Sequence, residues 1–286
     1  MKRIIVCDSG LGGLNIAAGF FAASAADKEK CEVIYFNAYP SPECGFNKLD
    51  SERAQEELFK EVLEGMKKFS PDLCLIACNT LSIIYERLKR WYTPAFAVTG
   101  IIDAAVAGMK TALLADPESS LLILGTKSTV ESGVYARRLT DSGIDPRRIK
   151  GLGCPGLATL LESDPGAEAV AQEIAAYAEK AVKLFDTPPQ KLFCALCCTH
   201  FGFASGIWER EFARNFANFA ALIDPNKLLV PDFSAASFEY CAKIDFFPGA
   251  RESMSRYFAA VSPVIAGTLQ KAVHDSELFK FNQRNM

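Results

Sequence analysis

The sequence predicts an α/β fold built from two similar parallel-sheet domains, related by a pseudo-twofold internal repeat, with a site between them. Three observations carry this. The stretch Leu192–Phe203, LFCALCCTHFGF, is an apolar run that gives out abruptly in Cys-Thr-His. Such runs read as buried strands of a parallel sheet, and polar residues at their ends lie on the carboxyl edge, where open α/β sheets build their sites. The stretch Leu73–Ser82, LCLIACNTLS, lies over it without a gap: Cys74 falls on Cys194, Cys78 on Cys198, Asn79 on Thr199 and Thr80 on His200. Strand-like and helix-like segments also alternate along the whole chain, which indicates βαβ units.

Taken in order, Ile4–Cys7 is a short buried strand. The loop Asp-Ser-Gly-Leu-Gly-Gly follows, and a helix begins near Leu14. The glycines allow positive φ and close approach of backbone to a ligand. No phosphate loop is spelled, because the Gly-Lys-Ser/Thr ending is absent. Asn15 occupies the third glycine position of a dinucleotide fingerprint. An ordinary turn capped by Asp8 or Ser9 would read the same way. Cys31–Ala38 is a second strand, followed by a turn-rich loop with two prolines and a glycine. Leu49–Phe69 is a charged amphipathic helix with Asp50 or Ser51 near its start, and Pro71 ends it. The strand Leu73–Cys78, a helix over Leu81–Trp91, the strand Phe96–Gly100 and a helix over Ile101–Leu114 complete the first cycle.

The pattern then restarts. Ser120–Gly125 is a strand that ends in a Thr- and Ser-rich loop. A helix carries Tyr135 and Arg137, and Ile149–Gly156 matches the earlier second strand. Leu157–Glu162 leads into a helix over Ala167–Phe185 and then the strand that ends at Cys198. Val6 pairs with Leu124, Tyr35 with Gly153 and Cys78 with Cys198, each about 120 positions apart, so the repeat is a half-domain rather than a solenoid unit. The tail continues as helix from Ile207. A strand over Leu228–Phe233 and a strand end at Phe246-Phe247 before a helix are expected there, packed onto the first half. The domains are therefore expected at 1–97 with 208–286, and at 98–207. His274, in a polar segment, reads as a surface residue.

Of the 286 residues, 50% are hydrophobic and 23% charged, which suits a globular protein with a sizeable core. A net charge of −3 offers no basic field for nucleic acid. The first residues imitate an export signal only until Asp8 and the glycines interrupt them. No stretch approaches a membrane span, and the expected location is the cytoplasm. Without an export signal the ten cysteines read as reduced thiols, and Cys7, Cys31, Cys74, Cys194 and Cys241 as small core residues. Cys194-x-x-Cys197 spells half of a redox or zinc motif. No second pair stands at zinc spacing, and the two residues point to opposite faces of a strand. No metal is expected.

A thiol at the same strand end in each half has a mechanical consequence. If the halves face one another, two sulfurs approach one ligand from opposite sides, which suits inversion of a stereocentre: one base removes a Cα proton and the other delivers one to the opposite face. A position just before a helix N-terminus is expected to lower each thiol's pKa. Asn79, Thr80 and Thr199 could hold the ligand's charged groups, while Asp8 and His200 are candidates to assist the thiols. Core packing remains the bland alternative for Cys78 and Cys198 taken singly.

The ordered set IIVCDSGLGGL, VIYF, ACNTLS, LGTKSTVESGVY, CPGLATLLE and CCTHF resembles the glutamate racemase family of the aspartate/glutamate racemase superfamily. The resemblance implies a two-domain, cofactor-independent enzyme acting on a small acidic amino acid, with its active site between the domains. It implies that Cys78 and Cys198 are the acid/base thiols, that Asp8 assists Cys78, and that Glu162 and His200 assist Cys198. Ser9, Gly45, Asn79, Thr80, Thr126, Thr129 and Thr199 would contact substrate, with Cys44 at the altered loop position. The product would be D-glutamate for peptidoglycan; no membrane or nucleic-acid partner is implied, and a homodimer is left open. The sequence departs from the family between Asn37 and Asn47, where Ala38 replaces an Asp and Cys44 a Tyr, and at Phe201-Gly202, where Tyr-Pro is usual. Racemisation of another acidic substrate, of aspartate or hydantoin type, and a non-catalytic small-acid binding protein are the competing expectations.

Overall fold

The computed structural model describes residues 1–22, 27–229 and 233–281. The chain forms two units, Met1–Ile101 with Leu229–Met286, and Ile102–Leu228.

The first unit begins with β1 (Lys2–Asp8), α1 (Leu14–Gly19) and β2 (Glu29–Asn37), continues through α2 (Glu52–Met66), β3 (Leu73–Ile76), α3 (Asn79–Leu88) and β4 (Ala97–Gly100), and reaches α4 (Ile101–Ala115) at its border. The second unit holds β5 (Ser119–Gly125), α5 (Lys127–Glu131), α6 (Val134–Asp141), β6 (Ile149–Gly153), α7 (Leu157–Ser163), α8 (Glu168–Val182), β7 (Lys191–Cys197), α9 (Ser205–Asn215) and β8 (Phe219–Ile223). The chain then returns to the first unit as β9 (Phe233–Ala242), α10 (Ala250–Val261) and α11 (Pro263–Lys271).

Both sheets are parallel, in the orders β4-β3-β1-β2-β9 and β8-β7-β5-β6. Apart from β9, the second order repeats the first, as the internal repeat requires. The register refines the match. Cys7 stands opposite Ile76 as Leu124 stands opposite Leu196, so the partner of Leu124 is Cys7 rather than Val6. Likewise Asn37, opposite Asp8, takes the place of Gly153, opposite Gly125. Equivalent backbone bonds seal these ends: Ala38 N donates to Asp8 O at 2.7 Å and Cys154 N to Gly125 O at 2.8 Å.

Several tail expectations are corrected. Phe219–Ile223 pairs with β7 as a fourth strand, so the second crossover falls after 228 rather than at 207. Leu228 closes a short 3₁₀ turn, residues 230–232 of the expected strand lie outside the described residues, and β9 runs on from Phe233. Phe246 and Phe247 lie beyond the end of β9, because that strand stops at Ala242.

Apolar faces explain the layers. In α2, Leu58, Phe59, Val62, Leu63 and Met66 are buried, and Ser51 caps the helix by accepting from Ala54 N at 3.1 Å. Ile5, Cys7, Ile34, Phe36, Cys74 and Ile76 meet that face from the sheet, and Leu278 and Phe279 close it. In the second unit Leu122, Leu124, Leu161, Ile174, Trp208 and Phe212 are fully buried. All ten cysteines are buried free thiols, and His274 is exposed. No helix among the described residues is long and apolar enough to cross a membrane.

Leu278 and Phe279 approach α2 closely at one glycine: a Cβ on Gly65 would stand 2.5 Å from Leu278 O and 2.9 Å from Phe279 Cβ. Gly65→Ala should therefore lift this segment off α2 and cost about 1–3 kcal/mol, as overpacking does. Urea unfolding measures this, and an unchanged midpoint would contradict the packing.

Candidate active site

The carboxyl ends of β1 and β3 assemble the first cluster. Cys78 follows β3 and caps α3: its backbone is extended and its sulfur accepts from Leu81 N at 3.5 Å. Ser9, just past β1, places its Oγ 3.1 Å from the same sulfur. Asp8, the last residue of β1, is fully buried. Asn79 and Thr80 are buried in the first turn of α3.

The turn after β1 is built differently from its sequence expectation. Gly13 caps α1 with φ −67°, and neither Asp8 nor Ser9 serves as the cap. None of the loop glycines has positive φ. What Gly13 supplies is room: a Cβ there would lie 2.8 Å from Ala77 Cβ and 3.0 Å from Asp8 Cβ. Ser9 is thereby left for the sulfur.

Burial pushes the Cys78 thiol up to about 12, with the Asp8 charge adding to the rise. The Ser9 hydroxyl and the amides of Leu81 and Ser9 pull the other way without prevailing. The expected lowering by the helix N-terminus is present in these amide bonds, but desolvation outweighs it.

The second cluster sits at the carboxyl ends of β5 and β7. Cys198 follows β7 and precedes a 3₁₀ turn, Thr199–Ala204, rather than an α-helix, and its side chain caps nothing. Within that turn His200 brings Nδ1 to 3.8 Å from the Cys198 sulfur, while its Nε2 meets Glu162 Oε1, from α7, at 2.6 Å. Burial disfavours a charged imidazole, but the Glu162 carboxylate, together with Cys198, outweighs it and holds His200 well above its usual range. With both nitrogens protonated, Nε2 donates to Glu162 and Nδ1 to the sulfur. A carboxylate, an imidazole and a thiol in line can pass a proton to and from the sulfur.

Thr126 follows β5, caps α5 by accepting from Thr129 N at 3.2 Å, and donates to Thr129 Oγ1 at 2.9 Å. Thr129 packs under Gly125, where a Cβ would stand 3.3 Å from its methyl. The Thr199 carbonyl accepts from Asn226 Nδ2 at 3.0 Å.

The turn-rich loop arranges its residues unevenly. Cys44, expected among the substrate contacts, is buried in the same apolar cluster as Cys78, and its thiol donates to Gly45 O at 3.6 Å. The Tyr39 hydroxyl instead lies 3.0 Å from where a Cβ on Gly45 would be, and its ring meets Phe247 edge-on at 5.2 Å. Tyr39 carries no motif in the sequence. Its one signal was that it is the loop's sole tyrosine.

Glu162→Gln removes the charge that keeps His200 protonated. The His200 ring signals, followed by NMR, should then titrate at lower pH. Because the folded value lies above the unfolded one of about 6.5, the pair's contribution is fully present below that pH and is lost as pH rises through the folded value. The variant should therefore lose more stability near about pH 6 than at a pH where the native His200 has lost its proton, and equal losses at both would refute the ion pair.

A sequence model of the Asp/Glu/Hydantoin racemase family matches residues 19–187, a span that includes Cys78 and Glu162 and ends before Cys198. A glutamate racemase of Campylobacter jejuni is 28% identical over 228 residues, 80% of this chain and 83% of that protein. One of Staphylococcus aureus is 29% identical over 170 residues, and the chain spans only 59% of that relative's length. The fold is similar to a crystal structure of a glutamate racemase isoform from Bacillus anthracis, with a TM-score of 0.69 at 18% identity over 90% of this chain and 94% of that one. It is also similar to one from Francisella tularensis in complex with D-glutamate, with a TM-score of 0.65 at 20% identity over 90% and 94% of the two chains. The family match covers more than half of the sequence, and the chain belongs to the Asp/Glu/Hydantoin racemase family as an amino-acid racemase, an isomerase.

Proposed function

We propose that the chain racemises glutamate without a cofactor, with Cys78 and Cys198 as the acid/base pair. The observation that carries this is the recurrence of a thiol just past matching strands of two equivalent sheets, each with its own polar helper: Ser9 at 3.1 Å for Cys78, and the Glu162–His200 line for Cys198. One sulfur, as thiolate, takes the Cα proton, and the bonding pair moves into the substrate carboxylate. The other sulfur, as thiol, returns its proton to the opposite face of the same carbon. The two sulfurs have then exchanged protonation states and are set for the reverse reaction.

Burial favours this use of Cys78, which at neutral pH is held as the proton-bearing thiol. Asp8 would act on Cys78, and Ser9, Gly45, Asn79, Thr80, Thr126, Thr129 and Thr199 would hold the substrate's charged groups. The product, D-glutamate, would supply peptidoglycan from the cytoplasm, as it does in the family this chain resembles.

A second reading has support in the loop. Cys44 is a small thiol where a tyrosine is usual and the hydroxyl near Gly45 comes from Tyr39, so a different acid, of aspartate or hydantoin type, could be preferred. A substrate panel distinguishes the two by whether glutamate or another acid turns over faster.

In D₂O without pyridoxal phosphate, L- or D-glutamate should lose its circular dichroism and gain deuterium at Cα. Cys78→Ala and Cys198→Ala should each lower turnover by at least about 10³-fold. Either variant keeping full turnover would remove that sulfur from the mechanism.

A further inference from the structure

The two half-sites differ in one respect that the repeat does not predict. Tyr35 is fully buried in β2, and its hydroxyl donates to Gly10 O at 2.7 Å. Gly10 directly follows Ser9, whose Oγ lies 3.1 Å from the Cys78 sulfur. This hydrogen bond pins the peptide after Ser9, and with it a side-chain hydroxyl that touches this thiol.

The Tyr35 ring is itself held from the far side. It stacks on Tyr240 of β9, with centroids 5.7 Å apart and planes 8° from parallel, and Tyr240 stacks on Phe246 at 5.2 Å. Asn37 Nδ2 donates to Tyr240 Oη at 3.1 Å, and Tyr39 N donates to Asn37 Oδ1 at 3.0 Å. The brace therefore runs from the C-terminal strand through Tyr35 to the Ser9 loop.

The second unit lacks this device. Tyr35 stands opposite Val6, which pairs with Leu75; the matching positions are Gly151, Ile123 and Ala195. The counterpart of Tyr35 is thus a glycine, and among the described residues the second sheet has no equivalent of β9.

We propose that Tyr35, braced by Tyr240, is a positioning residue for the Cys78 thiol alone, fixing Ser9 through the Gly10 carbonyl. The proposal rests on the two-thiol reading for its kinetic consequence, but not for its effect on the thiol itself. Tyr35 acts through two intermediaries, the Gly10 carbonyl and Ser9. Removing its hydroxyl leaves a buried carbonyl unpaired and frees the Ser9 loop to drift.

The test compares the whole protein with Tyr35→Phe. Alkylation by iodoacetamide, read site by site by mass spectrometry across pH, should slow at Cys78 by about ten-fold, the worth of one good hydrogen bond, and stay unchanged at Cys198. In turnover, a racemisation has an equilibrium constant of one, so kcat/KM must fall equally in both directions. The asymmetry appears in the primary isotope effect of Cα-deuterated substrate, which should rise in the direction where Cys78 takes the proton and fall in the other. Should Tyr35→Phe not fold, Tyr240→Leu removes the stacking brace and should give the same signature. Unchanged Cys78 alkylation, faster alkylation, or equal changes at both thiols would overturn the proposal. Absence of racemisation in the wild-type protein would overturn the reaction, while the alkylation result would still decide the role of Tyr35.

Discussion

A sulfur buried at the end of a parallel strand is costly to charge unless polar groups meet it, and Cys78 and Cys198 are met in different ways. At Cys78 the answer is a hydroxyl and the first amides of α3, set against full burial and the nearby Asp8 charge. At Cys198 it is an imidazole kept protonated by a carboxylate. The two solutions stand at equivalent places in equivalent sheets, yet they share no side chain type. A proton-transfer pair gains from such a difference, because one member must hold a proton while the other lacks it.

The sheets supply the positions and the loops supply the chemistry. Parallel pairing sends all strand ends of a unit to one edge, so residues distant in sequence, such as Ser9 and Cys78, or Glu162 and His200, become neighbours without a dedicated local motif. Close packing then removes alternatives. Gly13 leaves no space between Asp8 and Ala77, and Thr129 fills the hollow under Gly125. Each loop is held from beneath by the sheet and has little room to reposition its polar groups.

The added strand β9 distinguishes the sheet of the first unit from that of the second. It extends the first sheet by one strand and brings Tyr240 against Tyr35. The hydroxyl line from Asn37 to Tyr240 and the bond from Tyr35 to Gly10 tie the C-terminal segment to the Ser9 loop. An internal duplication has in this way acquired unequal halves through one strand contributed from outside the repeat.

The sequence by itself determined the α/β class, the repeat and both thiol positions, because apolar strands that end in Cys-Asn-Thr and Cys-Thr-His are local patterns. It also singled out Asp8, Ser9, Glu162 and His200 through the family resemblance. Tertiary structure decided what those residues touch. Whether Ser9 caps a helix or meets a sulfur depends on how the turn at Gly13 closes, and sequence spacing does not encode that closure. The same holds for Cys44, whose burial follows from the packing of Phe46 and Phe59 around it. It holds too for β8 and β9, short or amphipathic segments that only pairing with a neighbouring strand could make into sheet. The balance at Cys78, where desolvation prevails over a helix N-terminus, is likewise a property of depth, which exists only once the chain has folded.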